Sequence, residues 1–376
     1  MRRTVLIVPG LLSSTEGESY LRQGAVGMCR LTEQGDLSKV TRLPRIETPE
    51  AMLLGMNPRT VSLHQGPLTV SALGWDPPER STHFHLSLMS LQEGRLIVPD
   101  VLPLPSEVDH ILEQAKRLNT KTLTVLQGEM FDHALVWESV GDIGMTSASD
   151  VDGHLMKDHL PEGDGESSFR RFVDDSINMI AELELNERRV DQGLPPFNVL
   201  WPWGGGVRTS VPNLALRRGE PAKVESASMR LAGLTRLAGY KHGSREALGK
   251  GLATKLRNLA DRLLEAPVAI AYLDVAQNLR RDNREEELAW FIRELDGQLI
   301  QPLLDDHNRT PSRLTIIAPG CLTQSETMNL KPSEIGLAVI SETGQLENTR
   351  YPFDERSLDE KAISTRDLWT LVESGL

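Results

Sequence analysis

Six short apolar runs carry almost no polar alternation: Val5 to Val8, Leu123 to Leu126, Val199 to Trp201, Ala269 to Leu273, Leu314 to Ala318 and Leu337 to Ile340. A strand that is apolar on both faces has to be covered on both, as in a parallel sheet flanked by helices. Helical patterns lie between several of these runs, at Glu107 to Leu118, Phe169 to Arg189, Ser226 to Leu237, Arg245 to Leu264 and Glu285 to Leu304. Strands alternating with helices of that length predict crossover units and a mostly parallel sheet, so the fold class is α/β. Turn-forming residues gather at Pro44 to Pro49, Gly74 to Ser81 and Gly141 to Ser168, which reads as hinges or surface excursions.

With 376 residues the chain has room for two or three domains, and 39% hydrophobic against 25% charged residues is the composition of a protein that buries a core. Acidic residues exceed basic ones by 12, and the isoelectric point is near 5.3. That balance excludes a broad phosphate-binding face, so neither nucleic acid nor an anionic membrane is an expected partner. Cys29 and Cys321 are too few for a disulfide framework and too far apart in sequence for a metal knuckle. The opening apolar run stops at Pro9-Gly10, and no segment approaches about 18 uninterrupted apolar residues. The sequence is therefore read as cytoplasmic, with no membrane span.

Few short motifs suggest chemistry. The opening strand and Pro-Gly loop could begin an α/β-hydrolase, but the Gly-x-Ser-x-Gly elbow that such an enzyme needs is absent. His83 and His85 share one face of an extended chain, either as metal ligands or as a polar strand face. Asp150, Asp152 and His154 alternate in a loop, but Pro161 stands where a calcium loop needs its bidentate Glu. Trp201-Pro-Trp-Gly-Gly-Gly206 is the most unusual string. Its glycines suit a bound anion or a close chain crossing, while its two tryptophans, alternating about Pro202, point to one side of an extended chain. We read it as structural, burying apolar area between a core and a cap, with truncation of Trp203 costing about 3 to 5 kcal/mol.

Asn186 to Arg189, followed by Gly193-Leu-Pro-Pro-Phe-Asn198 and the Trp-Pro-Trp-Gly-Gly-Gly string, closely resembles the signature of archaeal-type cofactor-independent phosphoglycerate mutases, members of the alkaline phosphatase superfamily. The order continues on both sides. Leu53-Leu-Gly55-Met-Asn-Pro58 is similar to the stretch after the family's nucleophile, and Gly66-Pro67-Leu68 to its next glycine-rich turn. Arg217 to Tyr240 matches the segment ending at an Ala-Gly pair, here Ala238-Gly239, and Phe353-Asp-Glu355 resembles the C-terminal Phe-x-Glu. The resemblance implies an alkaline-phosphatase-like core of residues 1–75 and 205–376, with an inserted α/β cap of residues 76–204. It also implies two divalent cations such as manganese or zinc, and a Ser that attacks phosphate and returns it to the neighbouring hydroxyl.

The positions that would carry this chemistry depart from the family. Pro9-Gly10 replaces the metal-binding Asp before Gly. An ungapped match puts Ile46 at the nucleophile, with Thr48 the one nearby hydroxyl. Asp274 keeps a carboxylate in the Asp-x-x-x-His motif, but Asn278 takes the place of the His, and no histidine lies between His242 and His307. Pro319-Gly320 replaces the later Asp-His pair, and the last family His falls near Asn329. Gln65, His85 and Asp132 stand at arginine positions. A two-metal site needs several carboxylates and imidazoles to hold cations about 4 Å apart. The sequence therefore implies a catalytically silent relative, a binding or regulatory scaffold for which no cofactor is expected, with Thr48 and Asp274 as the residual candidates for nucleophile and metal ligand. Its partner would be a small organic anion or a protein. Arg188, Arg189 and Arg208 are the ligand-binding candidates, with surface salt bridging as their other reading. The competing function is an active mutase with a site rebuilt from residues such as Glu47, His83, His85 and Asp274.

Overall fold

The structure, a computed structural model, describes residues 2–11, 37–44, 54, 56, 63–101, 103–129, 131–219, 221–243, 245, 248, 251–307, 309–310, 312–319 and 334–341. The chain forms two compact units, one of Met1–Val61, Pro212–Ser228 and Ala238–Leu376, the other of Ser62–Val211 and Met229–Leu237. The strands in chain order are β1 (Arg2–Ile7), β2 (Leu37–Pro44), β3 (Thr82–Gln92), β4 (Arg95–Ile97), β5 (Leu123–Glu129), β6 (Asp132–Trp137), β7 (Ile143–Gly144), β8 (Glu162–Gly163), β9 (Val199–Val207), β10 (Lys223–Glu225), β11 (Lys241–His242), β12 (Val268–Tyr272), β13 (Ser312–Pro319) and β14 (Glu334–Ser341). Among the described residues no helix is long and apolar enough to cross a membrane.

The first unit is built on a seven-stranded sheet in the order β11-β10-β12-β1-β13-β14-β2. The ladders from β11 to β13 are parallel, with Val5 beside Ile270 on one flank and Thr315 on the other, whereas β14 runs antiparallel to both β13 and β2. The bare apolar runs behave as such strands should: every residue of β12 and the last four of β1 are buried. Small Ala269 and Ala271 stand in one core with Leu256, Leu259 and Leu263 of the helix Leu252–Leu264 and with Phe291 and Leu295 of the helix Glu285–Leu295. The helix predicted over Glu285 to Leu304 is interrupted by a wide π turn at Asp296–Ile300 before Gln301–His307. Pro302 explains the interruption, because it has no N–H to donate and its ring clashes with the carbonyl four residues back.

The second unit is antiparallel. Its central strand β3 pairs with β6 on one flank, and with β9 and the short β4; β5 extends β6, and β7 with β8 makes a separate ribbon. Phe84 and Leu86 of β3 join Ile111 and Leu112 of the helix Pro105–Ala115, and Phe169, Phe172 and Val173 of the helix Glu166–Ile180, in one apolar core. The pattern from Phe169 to Arg189 splits into Glu166–Ile180 and Glu184–Asp191. Buried Asn186 makes the break stable: its Nδ2 donates to Ile180 O at 2.8 Å and to Phe197 O at 2.9 Å, and its Oδ1 accepts from Phe197 N at 2.8 Å. On the other side of β3 lies the helix Gln65–Ala72, whose Val70 packs on Ala134 and Val136 of β6.

Candidate functional site

In an open parallel sheet the chemistry sits past the C-terminal ends of the strands, and in the first unit those ends bring together Pro9-Gly10 after β1, Ser226 after β10 and Asp274 after β12. The strand ends are tied to each other: Leu273 N donates to Ile7 O at 2.9 Å, and Val8 N to Ile317 O at 2.9 Å. Gly10 has φ +78°, and a Cβ there would lie 2.6 Å from Gln277 Cα, so the loop lies directly on the helix Val275–Arg281. Arg280 Nε donates to the Gly10 carbonyl. Asp274 begins that helix. Burial pushes its carboxyl above the usual range, opposed by its own backbone N–H, by Arg281 and by a hydrogen bond from Asn278. Beside it is a cavity of about 30 Å³ lined by Glu225, Ser226 and Asp274, with space for about one water molecule. Buried Glu225 pairs with Arg262 Nε at 3.1 Å and Lys223 Nζ at 3.3 Å.

The second unit holds a different cluster, three buried histidines around β3 and β6. Thr69 Oγ1 donates to Gln65 O at 2.9 Å, so the 2.9 Å contact to His85 Nδ1 places the proton on that nitrogen. His85 Nε2 lies 4.0 Å from Asp132 Oδ1, and the ring stands edge-on to Trp203 with centroids 4.9 Å apart. Ser81 Oγ donates to Pro78 O at 2.6 Å, which leaves His83 Nε2 the donor in its 2.9 Å bond to Ser81 Oγ. His133 Nδ1 accepts from Gly128 N at 3.0 Å. Burial, with His133 nearby, lowers the pKa of His85 to about 3; burial and the charge of Arg208 lower that of His83 to about 4.

Both imidazoles are therefore neutral near pH 7. The unfolded chain takes up protons below pH 6.5, the ordinary histidine value, while the native one refuses them until about pH 4 and 3. Stability should fall as pH drops from about 6.5 towards 4, and His85→Gln should flatten the slope. Urea midpoints measured across that range check this, and a slope equal in the variant would remove His85 from the account.

Arg189 is buried, with Nε on Pro195 O at 2.9 Å, Nη1 on the Glu107 carboxylate at 3.2 Å and its guanidinium 4.0 Å from the Phe197 ring centre. Arg188 is exposed on the same helix and bonds Glu184 O. Arg208 is exposed and pairs with Asp76 at 3.3 Å. Of the three, Arg208 alone lines a cavity with His83. Ile46, Glu47, Thr48, Gly320, Asn329 and Phe353 to Glu355 lie outside the described residues. Gln65, at an arginine position, accepts through Oε1 from Arg230 Nη1 at 3.3 Å, so a guanidinium reaches this place from the helix Met229–Leu237 instead. Sequence reasoning missed Arg230 and Arg236 because their helix reads only as an amphipathic one. Trp201 and Trp203 pack within the second unit's own core, where Trp201 is fully buried and Trp203 partly. That replaces the expectation of a seam between core and cap.

No protein-family model matches the chain. The 2,3-bisphosphoglycerate-independent phosphoglycerate mutase of Methanothrix thermoacetophila is 22% identical over 366 residues, 95% of this chain and 92% of that protein. The chain is related to the cofactor-independent phosphoglycerate mutases. The mutase of Methanopyrus kandleri is 23% identical over 81% of this chain and 80% of its own length. Among solved structures, a Pyrococcus horikoshii protein superposes with a TM-score of 0.70 at 16% identity, covering 100% of this chain and 97% of that one. The cofactor-independent phosphoglycerate mutase of Thermoplasma acidophilum gives 0.58 at 15% identity, with 100% and 99% covered. The fold is thus that of these mutases, the alkaline-phosphatase-like α/β fold.

This kinship corrects one expectation. The family resemblance implies two divalent cations and the relatives bear that resemblance out, so the expectation that no cofactor is needed does not stand. The described residues fit a metal poorly all the same: they hold no group of three His, Cys, Asp or Glu side chains able to share an ion. At the strand ends Asp274 is engaged by Asn278, and Glu225 by Arg262 and Lys223.

Proposed function

We propose that the chain is a phosphoglycerate-mutase-like protein without mutase turnover, its fold kept as a binding or regulatory scaffold. One observation supports this reading above the others. Where the resemblance puts the family's metal-binding side chains, the strand ends present Pro9-Gly10, with an Arg280 guanidinium on the Gly10 carbonyl, and Asn278 against the Asp274 carboxyl. A guanidinium is a fixed positive charge, which disfavours a second cation in the same place and cannot ligate one. His85 and Asp132 supply no positive charge where phosphate-holding arginines would stand, since His85 is neutral, and at Gln65 the charge comes instead from Arg230.

The test is conversion of 3-phosphoglycerate to 2-phosphoglycerate by the full chain with manganese added, because the family resemblance implies divalent cations. We expect no turnover above the protein-free blank. Sustained turnover that Asp274→Asn abolishes would establish the rebuilt-site alternative and overturn the proposal.

A further inference from the structure

In the second unit a cavity of about 240 Å³ opens at the C-terminal ends of the helices Gln65–Ala72 and Met229–Leu237. Its walls include Trp75, Asp76, His83, Arg208 and Arg236. The volume is below that of a drug-sized pocket and suits a molecule of a few carbons. Two guanidinium groups, of Arg208 and Arg236, and one carboxylate, of Asp76, line it. Arg236 holds Ser71 O through Nη1 at 3.0 Å and Gly74 O through Nη2 at 3.1 Å, which fixes the group and leaves other N–H donors over. Arg208 pairs with Asp76, whose side chain is 83% exposed. A carboxylate so placed is a weak, exchangeable partner that a bound anion can displace.

His83 adds a directional element. It is 1% exposed and lines the cavity, yet Nδ1 has no hydrogen-bond partner. Its other nitrogen is spent on Ser81, which does not line the cavity, and the Ser81 hydroxyl is itself committed to Pro78 O. The orphaned Nδ1 is therefore an acceptor, and leaving a buried acceptor unsatisfied carries its full desolvation cost. An occupant with an O–H donor recovers that cost.

We infer that this cavity is a binding site for a small hydroxylated carboxylate, its anionic group on Arg208 and Arg236 in exchange for Asp76 and its hydroxyl donating to His83. The site stands on residues of the second unit alone, and whether the chain turns over phosphoglycerate does not bear on it. The probes are tartronate and malonate, which carry the same two carboxylates and differ by one hydroxyl. Titrated calorimetrically into the full-length protein at constant ionic strength, tartronate should bind saturably at one equivalent, about tenfold more tightly than malonate. Arg208→Gln should weaken tartronate by about tenfold, and Asp76→Asn, by removing the competing carboxylate, should strengthen it severalfold. Both positions are exposed, so these variants keep the fold. Absence of saturable binding, equal affinity for the two acids, or affinities unmoved by both substitutions would each overturn the inference.

Discussion

Trp201→Ala should lower the stability of the protein by about 3 to 5 kcal/mol, the range for truncating a buried aromatic side chain. The ring has no exposed surface and lies in the core that also contains Phe84, Phe169 and Phe197, while its Nε1–H donates to Thr146 O at 2.9 Å. Truncation removes the apolar contacts and strands a carbonyl acceptor together. Trp201→Phe separates the two: it keeps most of the volume and loses the hydrogen bond, and should cost about 1 to 3 kcal/mol. Trp203 is only partly buried, with Nε1–H on Ser87 Oγ at 2.9 Å, so Trp203→Ala should cost less than Trp201→Ala. Urea titration followed by fluorescence and circular dichroism reads these differences. A Trp201→Ala loss below about 1 kcal/mol would mean that the ring is not packed as described.

That string also shows what the sequence could and could not reveal. Alternation about Pro202 and three consecutive glycines announced a close crossing, and the structure provides one: Gly204 has φ +64°, and a Cβ on Gly205 would lie 2.5 Å from Phe84 Cε1. What the rings pack against was not legible, because the partners come from β3 and the loop at Thr146, remote in sequence. The parallel strands β1, β12 and β13 were legible because burial on both faces leaves no polar positions. Of β3 the face shared by His83 and His85 was legible, as metal ligands or a polar strand face, but its burial was not, since polar side chains that find buried partners look like solvent-facing ones; here they alternate with core-facing Phe84, Leu86 and Leu88. The same ambiguity hid the second-unit cluster: Thr69 and Ser81 hydroxyls decide the tautomers of His85 and His83, and nothing in the spacing announces a hydroxyl partner.

Gly66→Ala provides the second large effect. The sequence marks Gly66-Pro67-Leu68 as a glycine-rich turn, yet in the structure these residues form the first turn of a helix lying on β3. A Cβ at Gly66 would stand 2.0 Å from His83 O and 2.5 Å from His83 C, backbone atoms of a strand paired on both flanks that cannot swing aside. The helix must lift, and it cannot lift freely, because Gly233 of the next helix meets Leu68 O at a distance that would leave a Cβ only 1.9 Å away. The loss should be about 3 kcal/mol, at the upper end for overpacking. Gly297→Ala supplies the comparison, since no atom lies within 4 Å of a Cβ there, and it should change stability by less than about 1 kcal/mol. Because the lifted helix carries Thr69 away from His85, Gly66→Ala should also weaken the acid sensitivity assigned to the buried histidines. Equal stabilities for the two glycine variants would show that the helix does not lie on β3 as closely as the structure has it, and the hydroxyl-to-imidazole bond of His85 would fall with that packing.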